Sequence, residues 1–164
     1  MTSVPAHLAR TLLEVHRDAG AEWLRHFQEL LALAAERWSL EAEPPLPGLS
    51  YSYVAPATMR DGTRVILKLG VPSAELVSEA EALRLFGGRG AVMLIDSDVE
   101  HGMLLLERLW PGSSLSGLED DREAISVAAQ LMRRLWRPVP EEHSLRTVAG
   151  WAEGFSRLRR RFGG

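Results

Sequence analysis

Val65-Ile66-Leu67-Lys68-Leu69 is an apolar run with a single charge inside it, and the helical stretch that follows carries Glu79 within its own apolar stripe. At about 100° per residue, Glu79 falls among Leu76, Leu83 and Phe86, whereas Glu81 points nearly the opposite way. A buried ammonium and a buried carboxylate each cost several kcal/mol unless they find a partner. Two lone charges on core-facing positions of consecutive elements therefore predict that Lys68 and Glu79 meet.

Upstream of the lysine, Tyr51 to Thr58 and Thr63 to Leu69 flank Arg60-Asp61-Gly62, and Asp-Gly is a strong hairpin signal. Before them, Trp38, Leu40 and Ala42 alternate with polar residues as a strand that stops at Pro44-Pro45. Downstream, Ser73 is a fitting N-cap with Glu75 in the first turn, and Gly87-Gly88 closes the helix that bears Glu79. Ala91 to Asp96 and Met103 to Leu109 read as two further strands joined by a short loop through Asp98 and Gly102. Three strands, one helix and two strands is the order of a protein-kinase small lobe. The expected fold class is α+β, a five-stranded antiparallel sheet plus one helix.

This lobe, residues 38–110, is flanked by helical segments. Residues 1–37 read as two helices, Ala6 to His16 and Ala19 to Arg37, broken near Gly20. Residues 111–118 are turn-rich and suit a hinge or connector. Residues 119–164 read as the first helices of an incomplete C-terminal lobe: one runs from Glu119-Asp120-Asp121 to about Arg137, ended by Pro138-Val139-Pro140, and one from Val148 to Phe162. Trp151, Phe155, Leu158 and Phe162 recur at helical spacing and need something to cover them.

Composition narrows the function classes. A chain of 164 residues, 46% hydrophobic and 25% charged, is that of an ordinary globular domain. Its net charge of −3 argues against a general nucleic-acid binder. The absence of cysteine excludes disulfides and thiolate metal sites. No apolar run approaches the ~20 residues that span a bilayer, and the N-terminus lacks a signal-peptide pattern. No membrane partner and a cytoplasmic location are the expectations. His7, His16, His26, His101 and His143 show no metal-ligand spacing, so no metal site is expected in the chain. Arg157, Arg159, Arg160 and Arg161 read as a solvated helix face, and no Gly-x-Ser-x-Gly elbow supports a serine hydrolase.

In nucleotide phosphotransferases a strand lysine held by a helix glutamate is aimed at the phosphates of ATP. The plain alternative for Lys68 is an exposed strand lysine with its stem lying over neighbours. A phosphate-covering loop is offered by Pro44 to Ser52, where the backbone N–H groups around Gly48, Leu49 and Ser50 and the hydroxyls of Ser50 and Ser52 are candidate phosphate donors. A proline-stiffened hairpin loop is its plain alternative. Met103 to Gly112 resembles the strand that enters a kinase hinge. There the carbonyl of Glu107 and the N–H of Leu109 are the candidates for the adenine edge, with Leu106 beside the base; a plain edge strand is the other reading.

With these residues in place, the chain resembles the aminoglycoside and hydroxyurea resistance kinase family, in its streptomycin 6-phosphotransferase-like branch. The carrying segments are Trp38-Ser39-Leu40, Pro47 to Pro56, Asp61-Gly62-Thr63 with Val65-Ile66-Leu67-Lys68, Glu79 to Leu85, and Leu104 to Leu109. The resemblance implies an ATP-binding small lobe in which Lys68 contacts the phosphates, Glu79 orients it and Glu107 to Leu109 receive adenine. It further implies transfer of the γ-phosphoryl group to a hydroxyl of a small-molecule antibiotic such as streptomycin, with Mg²⁺ as the metal.

The family's His-Gly-Asp catalytic motif, its downstream Asn and its Asp-Pro-Lys metal motif have no counterpart here, because the chain has no asparagine and no aspartate after Asp121. The catalytic base and the Mg²⁺ ligands are expected in a missing half, and the chain is expected to be inactive alone. A second reading, from another class, is a non-catalytic nucleotide-binding or interaction module that kept the small-lobe fold. It predicts a self-contained core, whereas an incomplete enzyme leaves the faces of Trp136, Trp151 and Phe155 uncovered.

Overall fold

The computed structural model describes residues 3–163, apart from the side chains of Arg157, Arg161 and Phe162, so the expectations placed on those three side chains lie outside it. Helix α1, Ala6–Trp38, is interrupted at Arg17, whose φ of 50° and ψ of −119° leave the helical region. The bend falls between the two helical patterns in the sequence, three residues before Gly20. The glycine is needed for close approach rather than for the bend itself. A Cβ there would lie 2.3 Å from the carbonyl oxygen of Leu12, so the elbow closes only around a residue without a side chain.

Five strands follow in one antiparallel sheet: β1 (Leu40–Ala42), β2 (Tyr53–Met59), β3 (Arg64–Leu69), β4 (Leu94–Asp98) and β5 (Met103–Glu107), in the spatial order β1-β2-β3-β5-β4. At the Asp61-Gly62 turn, Gly62 has a φ of 87°, and the Met59 N–H donates to the Thr63 carbonyl at 2.8 Å. The Asp61 carboxylate accepts the Thr63 N–H at 2.9 Å, which closes the turn. Helix α2, Ala74–Phe86, lies between β3 and β4 in sequence, with the Ser73 side chain accepting the Leu76 N–H and Gly87 in the left-handed conformation at its end.

The alternation of β3 sorts the molecule into layers. Val65, Leu67 and Leu69 are buried in one cluster with Leu8, Leu12, Trp23, Phe27, Ala34 and Trp38 of α1. On the opposite face, Ile66 packs with the cluster formed by Leu76, Ala80 and Leu83 of α2 with Leu104 and Leu106 of β5. The sheet is thus covered on both faces, and Lys68, two residues from Ile66, belongs to the α2 face.

Several strand boundaries differ from the sequence expectation: β2 begins at Tyr53 instead of Tyr51 and ends at Met59 instead of Thr58, and β3 begins at Arg64 instead of Thr63. Trp38 closes α1 rather than opening β1, because Ser39 turns the chain through the left-handed region (φ 49°) and the Trp38 indole Nε1 donates to Asp96 Oδ2 at 2.7 Å. Arg37 adds an ion pair with the same carboxylate at 3.7 Å, so the end of α1 is tied to β4. β4 begins at Leu94 instead of Ala91 and runs on to Asp98, and β5 ends at Glu107 instead of Leu109. The connector contains a short 3-10 turn, Leu115–Gly117, and leads to α3 (Asp121–Leu135) and α4 (Val148–Phe162), capped by Asp120 and Thr147. No helix among the described residues is long and apolar enough to cross a membrane.

Candidate functional site

β3 is paired on both sides, Lys68 standing opposite Val54 of β2 and Leu104 of β5, so the root of the lysine is fixed in the middle of the sheet. Its Nζ donates to Glu79 Oε1 of α2 at 2.5 Å, with both side chains partly buried. Glu81, two residues further along, turns away and accepts hydrogen bonds from the backbone N–H of Ser144, at 2.7 Å, and from the Ser144 hydroxyl. These Ser144 bonds hold the Glu81 carboxyl below its ordinary value. The helical wheel thus separates the two glutamates as the structure does.

Lys68 and Glu79 face a cleft of about 910 Å³ whose opposite wall is the loop between β1 and β2. Gly48 crosses that loop with a φ of 73°, and the Leu46 N–H donates to the Val54 carbonyl at 2.9 Å, folding the loop back on the strand. His7 anchors the loop from α1 through a 3.0 Å hydrogen bond between Nε2 and the Leu49 carbonyl. Gly48, Ser50, Ser52, Lys68 and Glu79 all line the cleft. At its floor is Gly70, where a Cβ would press to 3.2 Å on both the Ser52 hydroxyl and a Leu76 methyl.

The other three sequence candidates sit elsewhere. Leu106 is buried against Leu76, Ala80 and Leu83. Glu107 ends β5, its carboxylate accepting the Met93 N–H at 2.8 Å and its own N–H donating to the Met93 carbonyl at 3.0 Å. Leu109 is exposed beyond the strand. None of the three belongs to the cleft wall that holds Lys68.

Among the cleft residues that went unread in the sequence as part of this site, two come from far along the chain. Arg146 and Trp151 reach it from the segment that follows α3. Arg146 has no periodic pattern around it, and Trp151 reads only as part of a helix stripe. A stronger signal for Lys68 was also available: it is the only lysine among the 19 basic residues of the chain, the rest being arginine. Arginine stands at every other basic position, so the one compact, flexible ammonium marks this position out.

Among the described residues no group of three or more histidine, aspartate or glutamate side chains is placed to hold a metal ion. Four of the histidines make bonds near their own elements or to the loop, as with His26 to the Glu22 carbonyl at 3.0 Å and His101 to Asp98 at 2.9 Å.

Residues 37–163 match the model of a family described as aminoglycoside/hydroxyurea antibiotic resistance kinase. The chain belongs to that family. Relatives within this kinase family include a streptomycin 6-kinase of Streptomyces griseus, 37% identical over 143 residues, which cover 87% of this chain and 46% of the relative. A hydroxyurea phosphotransferase of Kitasatospora aureofaciens is 41% identical over 138 residues, or 82% of this chain and 40% of the relative. A streptomycin 6-kinase of Streptomyces glaucescens is 34% identical over 146 residues, covering 89% and 47%. This member of the resistance kinase family spans less than half the length of each of these relatives.

Proposed function

We propose that the chain is the ATP-binding part of a phosphotransferase that moves the γ-phosphoryl group of ATP to a hydroxyl of an aminoglycoside-type antibiotic resembling streptomycin. The observation that carries this reading is the 2.5 Å Lys68–Glu79 pair, set on a two-sided sheet and aimed into the cleft walled by the Gly48 loop. Phosphoryl transfer asks a protein chiefly to position the donor and to offset developing charge. Lys68 Nζ supplies a charge for the phosphate oxygens, and Glu79 holds its four-carbon stem in one direction. The loop amides around Gly48 and the hydroxyls of Ser50 and Ser52 supply neutral donors on the facing wall.

The end of β5, from Leu106 to Leu109, is the adenine edge in this reading. None of its residues lines the cleft that holds Lys68, so the adenine placement rests on the strand order rather than on the cleft. When bound, Mg²⁺ would neutralise phosphate charge. The described residues offer no carboxylate set that fits it, and no step is assigned to it. Proton removal from the acceptor hydroxyl likewise falls to residues outside this chain, so the chain binds nucleotide without transferring the phosphoryl group.

The exposed faces of the last two helices favour this reading over a self-contained interaction module. Trp136, Trp151 and Phe155 are 74%, 65% and 66% exposed. Apolar surface of that kind is normally covered by further protein. The function is tested by calorimetric titration of the chain with ATP: saturable binding that Lys68→Ala abolishes supports it, and no binding, or binding indifferent to Lys68, overturns it.

A further inference from the structure

We infer that Arg146 is a second cation for the polyphosphate of the nucleotide, an inference that rests on the reading of the Lys68 cleft as an ATP site. Lys68 is offset by Glu79, so one ammonium leaves most of a polyphosphate's charge unanswered. Arg146 lines the same cleft, although it stands 78 positions along the chain from Lys68.

Its place there is built by α2. Three residues on one face of that helix hold the incoming segment: Glu81 accepts from Ser144, Ser78 Oγ accepts the Arg146 N–H at 3.1 Å, and Glu75 pairs with the Arg146 guanidinium at 2.7 Å. The helix that sets Glu79 against Lys68 therefore also sets the height of Arg146 along the cleft. Two of these attachments are made by Ser144 and by the backbone of residue 146, so they do not depend on the arginine side chain.

The remaining contact is the one a ligand would replace. Arg146 and Glu75 are 45% and 58% exposed, and exposed ion pairs contribute little. A guanidinium presents a planar fork that matches phosphate oxygens, and a polyphosphate carries more charge than a carboxylate, so the fork turns from Glu75 to the ligand.

The test is calorimetric titration of the 164-residue chain with sodium tripolyphosphate, ATP and adenosine. Arg146→Ala is expected to weaken tripolyphosphate and ATP by about tenfold, the worth of one charge-assisted contact, and to leave adenosine unchanged. Arg146→Lys should recover part of the loss. Glu75→Gln should tighten tripolyphosphate more in the wild-type chain than in Arg146→Ala, because losing a negative charge that lines the cleft helps an anion in both, whereas freeing the guanidinium helps only where Arg146 is present.

Wild-type affinity for tripolyphosphate in Arg146→Ala, with affinity lost in Lys68→Ala, overturns the role of Arg146 and leaves the ATP site standing. If Arg146→Ala fails to fold, unchanged affinity in Glu75→Gln overturns the inference by itself. A wild-type chain that binds neither ATP nor tripolyphosphate overturns both.

Discussion

Lys68 and Glu79 are joined by a 2.5 Å hydrogen bond between the middle strand of the sheet and the helix packed on it. The two halves of this pair are expected to fail differently. Lys68→Ala removes the charge offered to phosphate, whereas Glu79→Gln leaves the charge and frees its direction. ATP affinity should fall by more than about tenfold in the first variant and by less in the second, since a neutral amide still accepts a hydrogen bond. Titration of both with ATP decides it; equal losses would place the two residues in a single structural role.

Gly102 should tolerate no side chain. Its φ is 75°, and a Cβ there would stand 2.0 Å from the carbonyl oxygen of Gly70, whose N–H in turn donates to the Gly102 carbonyl at 2.9 Å. Gly102→Ala is expected to destabilise the fold by more than about 2 kcal/mol in urea unfolding. Because Gly70 floors the cleft, ATP binding should weaken with it.

The bond from Trp38 to Asp96 ties α1 to the far edge of the sheet, and it lowers the Asp96 carboxyl below its ordinary range, with the Ser97 N–H and Arg37 helping against a smaller desolvation cost. A depressed carboxyl contributes stability that is present above its unfolded pKa and is lost as pH falls through the folded value. Trp38→Phe should therefore cost about 1 kcal/mol at neutral pH. The gap from wild type, read by urea unfolding across a pH series, should narrow as Asp96 protonates at acid pH.

Tyr53 offers the opposite sign. Its ring is fully buried, 4.8 Å from Phe27, and its hydroxyl has no hydrogen-bond partner among the described residues. Burial raises its pKa, so the phenol stays neutral. Tyr53→Phe removes a polar atom that burial has stripped of water and should raise stability by up to about 1 kcal/mol. A loss in urea unfolding instead would reveal a partner for the hydroxyl.

The parts of this fold that were legible in the sequence are those where a residue contradicts its surroundings. Lys68 inside an apolar strand and Glu79 inside an apolar stripe announced their pairing because desolvated charge has few other outlets. The Asp61-Gly62 hairpin and the Ser73 and Gly87 caps were legible because each residue type solves a local backbone problem. Strand ends were harder. Trp38 continues the alternation of Leu40 and Ala42, yet it is claimed by α1 through a bond to Asp96, 58 residues away. Arg146 was invisible for the same reason: nothing within ten residues of it encodes the three α2 side chains that receive its segment.

The single lysine of the chain allows one direct test of the cleft as a nucleotide site. An amine-acylating reagent can modify only Lys68 Nζ and the α-amino group, and the two adducts separate by peptide mass spectrometry. With ATP present, acylation of Lys68 should slow at least about tenfold while the α-amino group reacts as before, matching occupancy of the cleft at ten times the dissociation constant. An unchanged rate at Lys68 in saturating ATP would contradict the assignment of this cleft as the nucleotide site.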